Sequence, residues 1–218
     1  PHYLAKARHF VDPDWCPGDF FLSSANPHLV FYSLVGPLTH VIPFSTVAWI
    51  GRVLSLLLLA SGWVALVTRL VPGRWAAWHA TCLFLLMAAA GNLSGEWVVG
   101  GFESKVFAYG FLLWSAASAI DGRRRAGIFC GLAICFHPIV GGWGFAAAIL
   151  ARLASILPRS RVDNLAAATP QASRHHRFTG VALLLLCAAP GLIPALGMLG
   201  QASPEADAVQ VFSRLGHH

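Results

Sequence analysis

Three carboxylates share one proline-stiffened turn: Asp12, Asp14 and Asp19, in the stretch DPDWCPGD at residues 12–19. Pro13, Pro17 and Gly18 keep this stretch out of helix, so the carboxylates are presented on a loop just ahead of long apolar sequence. A carboxylate in such a place can act as general base towards an acceptor hydroxyl, and its oxygens can hold a divalent cation. A solvated turn uses the same residue types. A second polar group, Glu96, Glu103 and Lys105, lies in GEWVVGGFESK at residues 95–105, where Gly95, Gly100 and Gly101 permit close backbone approach to a ligand. Carboxylates and an ammonium at the mouth of an apolar run suit sugar hydroxyls and an anionic head group. The structural alternative is a pair of helix-end charges reaching for an interface.

Two ionisable residues fall inside apolar runs, Arg52 and His137. Intramembrane charges mark functional sites by default, and the planar guanidinium of Arg52 suits a lipid phosphate. His137 precedes Pro138, so its ring can instead bond a carbonyl freed by the proline. His217 and His218, at the other end of the sequence, join the candidate substrate-binding residues Arg52, Glu96, Glu103, Lys105 and His137. The ten histidines contain no HExxH pair, and adjacent pairs such as His217-His218 cannot both face one site on a helix, so no metal site is assigned. Cys130 and Cys135 lack the CxxC spacing and read as small buried hydrophobes.

The elements that must position these residues are apolar. Hydrophobic residues make up 56% of the chain and charged residues 11%, against roughly 25% charged in an ordinary soluble domain. The expected fold is all-α and integral to a membrane, with about six transmembrane helices and interfacial helices in an outer N-terminal segment. Residues 1–44 form that outer segment: a short surface helix at 1–10, the acidic turn, and one or two interfacial helices over 28–43. Residues 45–200 form the bundle, with spans at about 45–70, 75–92, 105–120, 126–140, 143–157 and 178–200, and 201–218 begin another outer loop. The run 126–157 would make a rod of about 48 Å, too long for one crossing, so two short helices meeting near Gly141 are expected.

The loops decide that count. Arg69 and Arg74, then Arg123, Arg124 and Arg125, then the cluster over residues 152–177 all fall on one side when 126–157 crosses twice. Short cytoplasmic loops retain Lys and Arg, so this side is expected to be the cytoplasm and the acidic and histidine-bearing loops to lie outside. Lys6, Arg8, His9, Asn26 and His28 fall outside as well. The +6 formal charge is accounted for by these loops, which sets nucleic acid aside as a partner. Beginning at Pro1 and ending in mid-pattern, the sequence reads as a fragment of a larger polytopic protein.

Four blocks carry a resemblance: DPDWCPGDFF, GEWVVGGFESKVFAYGF, CFHPIVGGW and VFSRLGHH. Together they look like an uncharacterised family of bacterial multi-pass membrane proteins. More distantly, the acidic loop before the first long helix and GIFCGLAICFHPIVGGWGFAAAILARL (residues 127–153) resemble the polytopic C-type glycosyltransferases. That resemblance implies an inverting transfer of sugar from a lipid-phosphate donor, such as a polyprenyl-phosphate sugar, with membrane lipid as partner. It puts the base at Asp12, Asp14 or Asp19, Asp12 and Asp19 being the better fits, and sets His137 where the family often has Lys. The competing expectations are a transporter or lipid-handling protein built on the broken helix pair, and a non-catalytic membrane scaffold.

Overall fold

The structure, a computed structural model, describes residues 2–90, 101–156 and 174–200. Every element among them is helical: α1 (His2–Val11), α2 (Phe20–Ser23), α3 (Leu29–Val41), α4 (Phe44–Leu70), α5 (Ala76–Ala90), α6 (Ser104–Ile120), α7 (Arg125–Phe136), α8 (Pro138–Ile156) and α9 (Arg174–Gly197). Among the described residues two helices are long and apolar enough to cross a membrane: α4 and the part of α9 from Phe178 to Gly197. The other apolar helices are shorter.

Prolines set the boundaries. Pro43 stands just ahead of α4, and Pro72-Gly73 ends the run after Val71 turns extended, with Gly73 at φ +132°. The residue before a proline is driven out of the α region, and His137 accordingly adopts φ −146°, ψ 93° between α7 and α8. Pro138 then opens α8, where its missing N–H is no loss. The break thus falls at His137 rather than near Gly141. Gly141 lies inside α8, where an added Cβ would strike the backbone of Ile134 and Ala133; this glycine lets the two helices approach. Residues 28–43 give one helix, α3, which runs through Pro37.

Contacts fix the helix directions. Along α4 and α6, Gly51 meets Phe102, Gly62 meets the Gly110 carbonyl, Trp114 bonds Ser61 and Arg69 bonds Asp121, so these two run parallel. Phe107 stacks on Phe136 and Phe111 on Phe129, so α7 runs back against α6. Gly127 meets Gly180, Gly131 meets Leu184 and Gly191 meets Cys135, so α9 runs parallel to α7. One end of the bundle gathers the end of α4 and the junction of α6 with α7, including Arg69, Asp121 and Arg123. Arg69 grips Asp121 with two bonds of 2.8 Å, and Arg123 adds a contact of 3.2 Å. The Arg69 hydrogen bonds and the arginine charges hold the Asp121 carboxyl below its ordinary range.

At the other end α1 and α3 pack over the starts of α4 and α6. Leu4, Ala7, Phe31, Tyr32, Val35 and Val47 form the core there, with Phe102, Phe107 and Phe136 against it. Far from lying on the surface, α1 buries Leu4, Lys6 and Ala7.

Close helix contact makes a testable claim. A Cβ on Gly131 would sit 2.5 Å from the Leu184 carbonyl and 2.7 Å from Cys187 Cβ, whereas one on Gly142 meets nothing within 4 Å. We expect Gly131→Leu to destabilise the protein by about 1–3 kcal/mol or more through overpacking. Gly142→Ala should be neutral or stabilising by up to about 1 kcal/mol. Thermal melts in detergent check both.

Candidate functional site

The site lies where the N-terminal helices meet the α7–α8 break. His28 occupies the position before α3 and caps nothing with its side chain. Its ring lies 4.5 Å from that of His137, centroid to centroid, at 33°. Tyr3 and Tyr32 flank it at 5.7 and 6.0 Å. The residue is 9% exposed, and its Nδ1 is buried without a hydrogen-bond partner.

His137 does not bond a freed carbonyl through Nδ1. That atom accepts the N–H of Val140 at 3.3 Å, one of the orphan donors of the first turn of α8. The bond requires a bare Nδ1 and so leaves the proton on Nε2 in the neutral ring. His137 therefore closes α7 and caps α8 at once. Burial, the adjoining His137 ring and the Lys6 ammonium press the pKa of His28 down to about 3. His28 is thus a neutral imidazole near pH 7 and cannot exchange protons there as a base poised for that pH would.

Lys6, 3% exposed, supplies the cation. Its ammonium donates to the carbonyls of Phe21 (2.8 Å) and Ser24 (3.0 Å) and to Ser24 Oγ (2.5 Å), and it lies 4.9 Å from the Phe21 ring centroid. Burial lowers its pKa and Asp19 opposes that shift. The amine ties α1 to α2 and so holds the acidic turn in place.

The three aspartates of that turn separate by role. Asp12 lies 3.4 Å from Arg8 Nη2, while Arg8 also donates to the Thr39 carbonyl at 2.8 Å. Asp19 caps α2, accepting the Leu22 N–H at 2.9 Å. Asp14 is exposed on the turn between them. Cys16 (φ 58°) and Gly18 (φ 81°) bend the chain there, and His9 Nδ1–H donates to the Trp15 carbonyl at 2.8 Å.

Glu103 precedes α6 and pairs with Lys105 at 3.4 Å. Its neighbour Phe102 packs 5.1 Å from Phe31, which puts this pair at the His28 end of the bundle. Arg52 stands apart on the exposed side of α4, its guanidinium 5.9 Å from the Trp49 ring. Glu96, His217 and His218 lie outside the described residues. Among the described residues, no three His, Cys, Asp or Glu side chains gather as a metal site.

Lys6 and His28 were visible in the sequence only as members of a polar N-terminal segment. Nothing in their spacing announces the pairing of His28 with His137, because it depends on where α3 lands on the α7–α8 break.

The buried neutral imidazole carries a pH dependence. The unfolded ring takes up a proton near its ordinary pKa of 6.5, whereas the folded ring resists until about 3. The unfolded state binds more protons between these values, so stability is full above 6.5 and is lost as pH falls towards 3. The protection factors of α1 and α3 amides, their exchange rates referred to the unstructured chain at the same pH, should fall on acidification from about pH 7 to about pH 4, and His28→Gln should flatten that slope. Equal slopes in the two proteins would contradict a buried neutral His28. In comparison with known proteins, the chain matches no family model, no curated protein and no solved structure.

Proposed function

We propose that this chain is the membrane-embedded part of a polytopic protein with six crossings, α4 to α9. On this reading its site lies at the His28 end, outside a bacterial inner membrane, and transfers a sugar from a lipid-phosphate donor to an acceptor. The observation that carries the membrane placement is the sorting of ionisable groups along helices of alternating direction. Arg69 and Arg123 stand at one end of the bundle, and Lys6, His28, Glu103, Lys105 and His137 at the other. Arginines gathered on the cytoplasmic side give this pattern; Arg8, bonded to Asp12 and the Thr39 carbonyl, is an exception at the His28 end. Asp121 does not weigh against it, because acidic residues contribute little to orientation.

Dimensions agree. From Trp49 to Arg69 along α4 is about 30 Å at 1.5 Å per residue, the thickness of a hydrocarbon core. Trp49, Trp75 and Trp78, all exposed, lie near the two boundaries so defined. The surface is heavily apolar, with Leu57, Leu86, Trp143, Leu186 and Ile193 among the exposed side chains, as lipid contact requires.

For the chemistry, Asp14 is the carboxylate of the acidic turn not committed to holding the fold, and it is the base we assign. Lys105, beside Glu103 near the membrane boundary, would neutralise the departing phosphate. His137, with its proton on Nε2, would donate to a donor or acceptor oxygen.

Two experiments test this. With Cys82 replaced by Ser, a membrane-impermeant maleimide should label Cys16 in spheroplasts, but should label an Arg124→Cys variant in which Cys16 is also replaced by Ser only after permeabilisation. In membranes bearing the full-length protein, Asp14→Asn should slow sugar transfer from the polyprenyl-phosphate pool about 10²-fold or more, the loss of a general base. Unchanged transfer in Asp14→Asn and in the triple alanine variant of Asp12, Asp14 and Asp19 would overturn the transferase.

A further inference from the structure

Away from the histidine site, an apolar groove of about 410 Å³ opens between α4, α5 and α6. Leu56, Ala60 and Trp63 of α4 line it, facing Phe84 of α5 and Tyr109 and Leu112 of α6. Of the three side chains in the wall that carry a polar atom, Trp63 and Thr81 engage each other and the backbone: Trp63 Nε1–H donates to Thr81 Oγ1 at 2.9 Å, and Thr81 Oγ1 donates to the Ala77 carbonyl at 2.6 Å. The rest of the lining besides Tyr109 is aliphatic or Phe84, which suits a hydrocarbon chain.

A cation lies one turn before the groove on the same face of α4. Arg52 precedes Leu56, Ala60 and Trp63 at the spacings that place residues on one face of a helix. Its guanidinium is exposed beside Trp49 and makes no ion pair among the described residues. A charge inside an apolar helix is costly unless it is paired or reaches the interface. From Arg52 to Trp63 the groove face extends about 16 Å, comparable to a lipid acyl chain.

We propose that this groove holds an acyl chain of an anionic phospholipid whose phosphate pairs with Arg52. The site rests on the membrane placement proposed above and is separate from the transfer site at the His28 end. Arg52 supplies the missing partner for the head group, and the wall of α4, α5 and α6 supplies a dry surface for the tail. The bound lipid fills the wedge between α5 and α6 and stabilises the bundle.

The test uses the full-length protein, delipidated in detergent and titrated with phosphatidylglycerol, phosphatidylcholine or a polyprenyl phosphate, with native mass spectrometry as readout. We expect a one-to-one phosphatidylglycerol adduct that forms in preference to the other two and raises the melting temperature. Arg52→Gln should weaken it about tenfold, the loss of one charge-assisted hydrogen bond, and Ala60→Trp should abolish it by filling the groove. Arg52 is exposed, so its variant keeps the test open if Ala60→Trp fails to fold. Equal retention of phosphatidylglycerol and phosphatidylcholine, or adducts unchanged in both variants, would overturn the site. So would preference for the polyprenyl phosphate, or a dimer that Ala60→Trp disperses. Loss of the adduct with one-sided labelling of Cys16 intact would sink the lipid site alone; labelling of both cysteines from outside would sink the membrane orientation.

Discussion

The peptide between His137 and Pro138 governs how this end of the molecule is built. A residue before proline is disfavoured in the α region and the proline itself has no N–H to give; here His137 turns extended and α7 stops at Phe136. The chain then reverses, and Gly141 lets α8 press back against the Ile134 backbone. Without that break α7 and α8 would form a single rod of about 48 Å. His137 would then lie mid-helix instead of capping α8, and His28 would have no ring to meet.

Much of this was legible in the sequence. Apolar runs bounded by Pro43, Pro72-Gly73 and the Gly122-Arg123 turn announced α4 and α6, because backbone groups with no water nearby have to be satisfied within a helix. The broken pair over 126–157 was legible too, with His137-Pro138 and Gly141-Gly142 both visible as interruptions, but the two helices were expected to meet near Gly141. A glycine can break a helix or let two helices approach; the structure uses Gly141 for close packing and leaves the break to the proline. A sequence pattern cannot separate those two uses of glycine, since both need only the absence of a side chain.

The candidate site was less legible because it is tertiary. The three aspartates look equivalent on paper, yet two of them are engaged by partners the sequence does not reveal: Arg8 one turn earlier, and the amide that Asp19 caps. Asp121 shows the same limit. Read as an acidic residue among arginines it is an anomaly; in the fold it joins the ends of α4 and α6 through Arg69. Beside the aromatic stacking of α6 on α7, several helix pairs are held by small residues. Gly62 against Gly110 and Gly131 against α9 bring backbones together, while the bulky side chains point outward. That inversion fits an apolar surrounding, where burial of large side chains offers little and close van der Waals packing decides association.

The shortness of α7 has a consequence for access. Its 12 residues extend only about 18 Å, while α4 beside the same end runs through 27 residues. The bundle therefore has a recess above Phe136, and the N-terminal helices occupy it. Phe31 meets Phe102 and Phe107 there, and His28 meets His137. Residues 2–41 are thus seated against the short helices rather than laid over a flat rim. His28, just ahead of α3, lies on the His137 ring, so on that side it is the N-terminal segment and not solvent that borders this histidine.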